Sequence, residues 1–421
     1  MTTTTSHRVP HPAPLSKMTF WERSFEERDE VFDELRRTAP VTWHPPLDSS
    51  MEVNSDGFWA VVRHEDITAV SADSETYSSS AEYGGVMFED LPEFFADATG
   101  AFLVQDDPRH AKMRKLVSVA FTPKRLRAFQ EAIDKRSVEI VDNLINKGDC
   151  DFVYNVAQLM PMWAISELMG IPEELREGVA HWADVQATGG HGSHLTGGMD
   201  PGEAVLASLG YMRGAGLMLA EMRRWLPADD LMSGLIAAEI DGEKLSDNDI
   251  VTFFNLLGVA GNDTTRNTLA HAVLGLTNNP EQRAYLLEDF DGRIDGAIEE
   301  FLRWGTVVET FRRTATTDTE LNGQKIAKGE KVVMFYGSGN RDPEMFDEPG
   351  KFDLSRTPNK HMAFGGGGSH FCMGSMLAKA EMKSLMKELL TRVPNIEASD
   401  PKMASNVFMR TIIEMPCKLN L

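Results

Sequence analysis

The spacing of apolar residues along the chain predicts a protein built mostly from helices. Between about residues 108 and 146, apolar positions recur every three or four residues, which predicts two helices that separate near Pro123. The segments 58–62 and 331–335, which are apolar apart from Lys331, are instead typical of short strands. We therefore expect a mainly α fold that carries a small β-sheet region.

The longest predicted helix begins after Ser246, where Asp249 stands three residues further on in a capping-box-like start. It continues to about Thr277 and stops before the Asn-Pro pair at 279–280. At 1.5 Å per residue its length is roughly 45 Å, which is enough to cross a whole domain. A further helix is predicted over 157–169, ending at a Gly-Ile-Pro sequence.

The N-terminal segment, the lack of long apolar runs and the few cysteines together indicate the cellular compartment in which the protein is expected. Residues 1–18 are rich in Thr, His and Pro and predict a flexible N-terminal segment, which leaves residues 19–421 as a single domain. That segment lacks the charged-then-apolar order of a signal peptide, and the chain has no apolar run long enough for a membrane span. The three cysteines (Cys150, Cys372, Cys417) are too few and scattered for a disulfide framework. We therefore expect a cytoplasmic protein.

Composition narrows the range of partners and cofactors. The chain has 421 residues, a net charge of −22 and 42% hydrophobic residues. Such an acidic balance argues against nucleic acid as a partner. A core of this size can enclose an apolar cofactor.

A glycine-rich segment at 187–202 interrupts the helical pattern. It is either a mobile surface loop or a lid between two helices that admits a substrate. His191 and His194 raise the idea of a metal site, but no cysteine or carboxylate stands at ligand spacing beside them.

The most informative segment runs from Phe364 to Gly374 and contains four consecutive glycines, Gly365 to Gly368. Glycines allow the backbone to fold tightly and to approach a ligand closely. Because a helical pattern follows Cys372, we expect this cysteine at a helix N-terminus, where free N–H groups and the helix dipole favour the thiolate. A thiolate is the form that binds iron. A buried structural thiol, or a zinc site with His361 and His370, is the alternative.

The long helix has an unusual polar interruption. After apolar residues up to Ala260, the seven residues from Gly261 to Asn267 include no apolar side chain. Such a stretch in a core-crossing helix is costly unless it serves a ligand, or unless it is a solvent-exposed face. We expect Ala260 and Gly261 to leave room for a ligand, and the Thr264 hydroxyl to bond the carbonyl of Ala260 and bend the helix. Asp263 and Thr264 supply an acid and a hydroxyl for proton delivery.

Together these two segments resemble the signatures of the cytochrome P-450 superfamily of haem-thiolate monooxygenases. The cysteine loop resembles its haem-binding signature, and the sequence from Ala260 to Thr265 resembles its oxygen-activation motif. The sequence Glu300-Phe301-Leu302-Arg303 matches a third signature, Glu-x-x-Arg. The agreement extends from about residue 20 to the end, with one departure: the Phe364-to-Cys372 spacing is one residue longer than is usual in the family.

The resemblance implies a cytochrome P-450 fold in which haem b lies between the long central helix and the helix after Cys372, its axial ligand. It implies that the haem propionates, which need cationic or hydrogen-bonding partners, are held by four side chains. The resemblance also places two residues of the cysteine loop and two of the long helix against the haem. The four propionate partners are His110, Arg114, Arg313 (beside the easily confused Arg312) and His361, and the four residues against the haem are Phe364, Gly374, Ala260 and Gly261.

The resemblance further assigns a structural role to Glu300 and Arg303, in an ion-pair network for which Arg356 is the candidate third member. Loss of one partner would leave a buried charge unpaired. We therefore expect variants at these positions to misfold or to lose haem.

By resemblance, the activity is insertion of one oxygen atom from O2 into a C–H bond, with Asp263 and Thr264 delivering protons. With no reductase domain in the chain, NAD(P)H electrons arrive through a reductase and an iron–sulfur ferredoxin. A basic patch could steer that ferredoxin, or it could be an ordinary solvated face. The patch consists of Lys112, Lys115, Lys124, Arg125 and Arg127.

The substrate is the least defined part of the prediction. The motifs look most like bacterial, particularly mycobacterial, members that oxidise branched lipids, terpenoids, sterol side chains or alkanes. Apolar or small residues are the expected pocket walls: Leu257, Val259, Ala260, Val307, Val308 and Phe408. The alternatives are a peroxygenase, a non-oxidative haem-thiolate enzyme such as an isomerase, and a non-catalytic haem sensor.

Overall fold

Helices form most of the molecule in the computed structural model, which describes residues 8–49, 52, 55–90, 101–190 and 196–421. The helices are α1 (Met18–Trp21), α2 (Phe25–Thr38), α3 (His64–Ala72), α4 (Arg109–Ser118), α5 (Pro123–Lys147), α6 (Leu159–Met169), α7 (Glu173–Ala187), α8 (Pro201–Trp225), α9 (Leu231–Ala237), α10 (Asp247–Asn278), α11 (Pro280–Glu288), α12 (Phe290–Gly305), α13 (Tyr336–Gly339) and α14 (Ser375–Arg392). The predicted mainly α class is confirmed.

The strands are short and contribute several small sheets. They are β1 (Val41–His44), β2 (Phe58–Val61), β3 (Tyr77–Ser78), β4 (Cys150–Asp151), β5 (Glu239–Ile240), β6 (Glu243–Lys244), β7 (Thr310–Ala315), β8 (Thr319–Leu321), β9 (Gln324–Ile326), β10 (Lys331–Phe335), β11 (Glu397–Ala398), β12 (Lys402–Met403), β13 (Ile412–Glu414) and β14 (Pro416–Lys418). The largest sheet has the order β1-β2-β10-β7-β3. Its parallel central pair, β2 and β10, is fully buried, which explains why both strands are mostly apolar.

The long helix α10 forms the centre of the helical part. Its Ser246 cap is a capping box in which Ser246 and Asp249 bond each other's backbone N–H groups. The helix spans 32 residues and packs against α6, α7, α8 and α12. The predicted start, end and core-crossing position of this helix are therefore confirmed.

The remaining helix boundaries also follow local sequence signals. Pro123 occupies the first turn of α5, where its missing N–H costs nothing, and Thr122 caps that helix. Gly170 ends α6 in a left-handed conformation at φ 73°. The sequence predicted both of these boundaries, the separation of two helices near Pro123 and the end of a helix at the Gly-Ile-Pro sequence.

The prediction of a flexible N-terminal segment is wrong for residues 8–18. Arg8 pairs with Glu330 at 2.9 Å, and Leu15 is fully buried. The Trp21 indole N–H donates to the Leu15 carbonyl at 3.1 Å. An apolar side chain and a charged one therefore hold this stretch against the sheet, although its composition resembles that of a linker. Residues 1–7 lie outside the described residues, and the single domain over 19–421 stays a prediction.

Two cysteines that are far apart in the sequence meet in the fold. Cys150 of β4 and Cys417 of β14 face each other across antiparallel strands, with their sulfur atoms 4.0 Å apart. Both are free thiols, as is Cys372. Among the helices of the described residues, none is long and apolar enough to cross a membrane.

Candidate active site

A cavity of about 440 Å³ lies between α10 and the loop that precedes α14. Its walls include Ala260 and Thr264 from the helix and Cys372 from the loop. Ala260 is exposed into this space, although Leu257 and Asp263 on the same helix are buried. A ligand in the cavity would therefore contact both of the segments that stand out in the sequence.

The polar stretch of α10 is buried, so it is not a solvent-exposed face of the helix. The buried residues are Asn262, Asp263, Thr265, Arg266 and Asn267. The side chain of Asn267 donates to the Asp263 carbonyl at 2.8 Å and accepts from the Ile412 N–H at 2.7 Å. Such bonds offset the cost of burying polar groups. The stretch therefore anchors the helix to the C-terminal strands behind it.

Thr264 makes the backbone bond expected from the sequence, since its hydroxyl donates to the Ala260 carbonyl at 2.9 Å. Gly261 lines the cavity, but it has a packing role that the sequence did not indicate. A Cβ at this position would lie 2.4 Å from the side chain of Ile165 on α6. Much of the room that we expected Gly261 to leave for a ligand is therefore filled by Ile165.

Asp263 and Thr264 are neighbours that face different directions. Thr264 lines the cavity, whereas Asp263 is fully buried behind it and bonds Arg266 at 2.7 Å. Arg266 also pairs with Asp184 of α7 at 2.8 Å. Burial raises the pKa of Asp263 well above its usual value; the Arg266 charge opposes this rise and the Asp184 charge adds to it. Within the described residues, no hydrogen bond joins the Asp263 and Thr264 side chains.

The cysteine loop closes on itself beside the cavity. The Cys372 N–H donates to the Phe364 carbonyl at 2.9 Å, and Gly365, Gly367 and Gly368 have positive φ. At Gly368, where φ is 76°, a Cβ would lie 2.3 Å from the Ser71 carbonyl oxygen of α3. A loop that is one residue longer than usual can therefore fold tightly and still bring Cys372 to the cavity wall.

The surroundings of Cys372 do not favour the thiolate, although its position before a helix predicted that they would. Burial raises the pKa of the Cys372 thiol above its ordinary value. Backbone N–H groups of Gly374 and Ser375 and the Arg114 charge act in the opposite direction but do not outweigh burial. A bound cation would supply the missing stabilisation, because coordination deprotonates a thiol.

Cationic and hydrogen-bonding side chains cluster at the edge of the same cavity. Arg313 is buried and lines it, and its recorded hydrogen bond is to the neighbouring Arg312 carbonyl at 2.8 Å. Arg312 points to the other face of β7 and pairs with Asp90, which separates the two arginines. Arg114 lines the cavity and donates to the Phe371 carbonyl at 2.5 Å.

Two histidines stack beside these arginines, His110 and His370, with ring centroids 4.0 Å apart. Among the described residues, His110 Nε2 and His370 Nδ1 are buried without a hydrogen-bond partner. Burial and the charges of Arg313, His110 and Arg114 lower the pKa of His370 to about 2. The cluster therefore suits a ligand that brings negative charge.

His361 does not take the propionate role that the resemblance gave it. Its Nε2 bonds Glu299 at 2.8 Å, and its Nδ1 accepts the Ala363 N–H at 3.2 Å. Both ring nitrogens are thus engaged, whereas His370 lines the cavity with a free ring nitrogen. The sequence signal for this role is the position of His370 two residues before Cys372, although the sequence alone suggested His370 only as an alternative zinc ligand.

Glu300, Arg303 and Arg356 meet as an ion cluster outside the cavity. Glu300 and Arg303 form two bonds of 2.7 Å and are fully buried, and Arg356 Nε lies 3.3 Å from Glu300. Arg303 also donates to the carbonyls of Asn340, Pro349 and Lys351. The cluster ties α12 to the chain that leads into the cysteine loop.

Comparison with known proteins gives a consistent result. Residues 221–411 match the cytochrome P-450 family. The chain is 39% identical over 406 residues to the methyl-branched lipid omega-hydroxylase of Mycobacterium tuberculosis, covering 96% of this chain and 93% of that protein. It is 38% identical to the steroid C26-monooxygenase of Rhodococcus jostii, covering 91% of this chain and 80% of the relative. It superposes with a TM-score of 0.95 and 45% identity on a Mycobacterium marinum cytochrome P-450 in complex with pseudoionone, covering 98% and 100% of the two chains.

The chain belongs to the cytochrome P-450 family. This P-450 is accordingly a monooxygenase that uses haem and O2 and acts on lipophilic substrates. The cavity fits that cofactor: a thiol faces α10 across it, and unpaired donors at its edge suit two carboxylates. No cluster of side chains in the described residues could hold a separate metal ion. His191 and His194 lie outside the described residues.

The P-450 cavity also contains the expected wall residues. All six apolar or small residues proposed as pocket walls from the sequence line it: Leu257, Val259, Ala260, Val307, Val308 and Phe408. Sequence reasoning missed the contributions of other elements, among them Phe102, Ile165, Phe311 and Glu381. Glu381 is notable because it is a buried carboxyl on α14 whose pKa is raised to about 8 by burial.

Proposed function

We propose that this P-450 hydroxylates a methyl-branched or isoprenoid chain near its end, using electrons from a separate ferredoxin. The observation that carries the proposal is the apolar character of the cavity where it meets α10 and β7. Val307, Val308, Phe311 and Phe408 all line it, as does Thr264. Apolar walls bind a hydrocarbon by burial alone and leave its end free to lie at the oxygen-binding face.

Two amide side chains that line this cavity, those of Gln186 and Asn255, are paired with each other. The amides of Gln186 and Asn255 exchange two hydrogen bonds, of 2.8 and 3.1 Å. Asn255 stands nine residues before Thr264, about 13 Å away along the helix at 1.5 Å per residue. The distance suits an elongated, mostly apolar substrate rather than a compact polar one.

The names of the relatives support the same substrate class. Two of them are named for the end or side chain that they oxidise, a methyl-branched lipid and a steroid at C26, and the Mycobacterium marinum structure holds pseudoionone. A branched or isoprenoid chain end is the shape that we propose for this protein.

The residues that would hold the haem follow from the geometry of the site. Cys372 would bind the iron, and Arg313, Arg114, His110 and His370 would hold the propionates. When bound, the haem supplies the activation of O2 that allows an oxygen atom to enter a C–H bond. The residues of this chain orient the substrate, keep water away from its carbon atoms and deliver protons.

Thr264 and Asp263 are the proposed proton-delivery pair. The Thr264 hydroxyl faces the cavity, where it can hold a water molecule or pass a proton from its oxygen. Asp263 lies behind it, and burial raises its pKa well above the usual value, which favours the protonated carboxyl. Its side chain would have to turn towards Thr264 to release that proton.

The proposed ferredoxin would dock where the cysteine loop reaches the surface. Phe371 and Met376 are 42% and 50% exposed there, and Arg114 connects Phe371 to α4. All five cations of the basic patch are exposed. Lys112 already pairs with Asp241 and Arg125 with Asp229, which weakens the attraction of these two cations for an acidic partner. Lys115, Lys124 and Arg127 are therefore the stronger candidates for steering an acidic partner, and Lys115 lies on α4 together with Arg114.

Substrate class is tested by the spin-state shift of the ferric enzyme with methyl-branched fatty acids, sterols and pseudoionone. We expect saturable shifts with branched or isoprenoid chains, and products hydroxylated near a chain end. A Val308→Trp variant should abolish these shifts by filling the cavity, whereas Val138→Trp on the exposed face of α5 should not. Binding only of compact polar molecules would overturn the proposal.

Proton delivery is tested by comparing two threonines of α10 that make the same backbone bond. Thr264 bonds Ala260 and Thr252 bonds Asn248, but only Thr264 lines the cavity. Thr264→Ala should lower the fraction of electrons that ends in product by several-fold, and Thr252→Ala should leave it unchanged. Full coupling in Thr264→Ala, or turnover that needs peroxide and no ferredoxin, would exclude the proposed reaction.

A further inference from the structure

Three charged side chains meet on the side of α10 that faces away from the cavity. Arg266 lies 2.8 Å from Asp184 Oδ1 and 2.7 Å from Asp263 Oδ1 through its two terminal nitrogens. Asn262 Nδ2 donates to the same Asp184 oxygen at 3.0 Å. One guanidinium thus serves two carboxylates, one from α7 and one from α10.

The charges of this cluster do not balance if both carboxyl groups are ionised. Two carboxylates and one guanidinium leave one excess negative charge in a buried place, which is costly. Arg266 cannot relieve the excess by losing a proton, because that would increase it and because arginine stays charged in proteins. A proton on one carboxyl restores neutrality and lets the two acids bond each other.

We propose that Asp184 and Asp263 share one proton, and that Asp184 is the positioning residue through which Asp263 keeps it. The proposal rests on the proposed role of Asp263 in proton delivery and adds Asp184 to it. Of the two acids, Asp184 is the one that reaches the surface, with 10% of its side chain exposed against none for Asp263. Protons from solvent would therefore enter through Asp184.

The surroundings of Asp184 contain few other charges. Tyr154, which is 38% exposed, is a titratable group that interacts electrostatically with both Asp184 and Arg266. Asp151 and Glu414 interact in turn with Tyr154. On α10 the facing groups are Arg266 and Asp263, joined by the neutral Asn262. None of these supplies a second positive charge that could neutralise the pair.

Because the proton is shared, the Asp263 side chain can rotate, as proton delivery requires. Oδ2 of Asp263 is buried without a hydrogen-bond partner among the described residues. A protonated Asp263 is held less strongly by Arg266 and can turn towards Thr264. Without the Asp184 carboxyl, Arg266 and Asp263 would form a balanced ion pair, and Asp263 would stay ionised and fixed.

The test is infrared spectroscopy of the resting ferric holoenzyme at pH 7. Because Glu381 is also expected to be protonated, all proteins carry Glu381→Gln. We expect a protonated-carboxyl stretching band that disappears both in Asp184→Asn and in Asp263→Asn. Glu177→Gln, which removes an exposed acid from the same helix as Asp184, should leave the band unchanged.

A second measurement follows product formation against pH. Asp184→Asn should lower the rate at pH 7 by roughly tenfold, which is less than the ~10²–10⁴-fold that a group transferring the proton itself contributes. The pH at which the rate falls off should also move to a lower value, because Asp263 would ionise more easily. A purely structural role for Asp184 would lower the rate equally at every pH.

The proposal fails if the Glu381→Gln protein with both aspartates intact has no such band, or if the band survives when Asp184→Asn is added. It also fails if the band disappears in only one of the two variants. The band does not depend on Thr264, so the two ideas fail separately. If the Thr264→Ala enzyme were fully coupled while the band behaved as expected, the shared proton would stand and the delivery role would not.

Discussion

Two buried ion clusters in this P-450 have opposite charge excess. In one, Glu300 serves two arginines, Arg303 and Arg356; in the other, Arg266 serves two aspartates, Asp184 and Asp263. The first meets its excess positive charge with dipoles, since Arg303 bonds three backbone carbonyls, and with the Asp353 carboxylate, which interacts with the Arg356 charge. The second can satisfy its excess negative charge by binding a proton. The first cluster is therefore suited to hold structure and the second to carry a proton.

The largest effect expected from this difference is on the Glu300 cluster. Glu300→Gln would leave Arg303 fully buried without a counter-charge and should lower the free energy of unfolding by about 3–5 kcal/mol, with loss of haem. Chemical denaturation and haem content of the purified protein measure it. Asp295→Asn, at an exposed ion pair on the same helix, should change stability by less than about 1 kcal/mol. A stable, haem-replete Glu300→Gln protein would contradict the structural role.

Glu381 extends the comparison to a buried carboxyl that has no arginine partner. Its pKa is raised from 4.5 to about 8 by burial, so the folded protein holds a proton that the unfolded chain releases above pH 4.5. This contribution to stability is present below pH 4.5 and is lost as pH rises through about 8.

Glu381→Gln should therefore flatten the fall of stability between pH 5 and 8 and stabilise the protein at pH 8 by at most about 5 kcal/mol. Urea denaturation at several pH values measures this. Glu388→Gln, further along α14 and partly exposed, is the control and should leave the pH dependence as it is. An unchanged slope in Glu381→Gln would show that the carboxyl is ionised when folded.

A smaller change of stability is expected at the aspartate pair. In Asp263→Asn, a neutral amide replaces the carboxyl that shares the proton, and the Arg266 charge remains balanced by that of Asp184. The free energy of unfolding at pH 7 should change by less than about 1 kcal/mol, although product formation falls strongly. A loss of stability as large as that of Glu300→Gln would remove the distinction between the two clusters.

The sequence predicted the elements that carry strong local signals. The Ser246 cap, the polar stretch in α10 and the glycine run before Cys372 were each visible without the fold. The partners of those elements were not, because they depend on tertiary contacts. His370 stands two residues before Cys372, which is a local signal for the haem site, but only packing shows that both ring nitrogens of His361 are engaged elsewhere.

Asp184 escaped notice for the same reason. It lies far from Asp263 along the chain, and its neighbours Ala183 and Val185 are apolar and buried. An acid on a buried helix face was a signal that some partner must exist, but the sequence alone cannot identify Arg266. Arg313 could have been separated from Arg312 by strand alternation, which puts it on the same face as Phe311.

The smallest effect is expected where charge is exposed. Lys115→Glu should slow reduction by the ferredoxin a few-fold at low salt and flatten its salt dependence, because steering by surface charge is screened. Stopped-flow reduction measures this. Lys325→Glu, on β9, changes the net charge equally and should leave reduction unaffected. Equal rates in the two variants would remove the proposed docking surface.

The central claim is that Cys372 binds the haem iron as a thiolate. The carbon monoxide difference spectrum of the reduced protein tests it most directly. The unaltered protein, Cys150→Ser and Cys417→Ser should all give the long-wavelength Soret band of thiolate ligation. Cys372→Ser should lose that band. A long-wavelength band that persists in Cys372→Ser, or that is missing from the haem-loaded unaltered protein, would contradict the account.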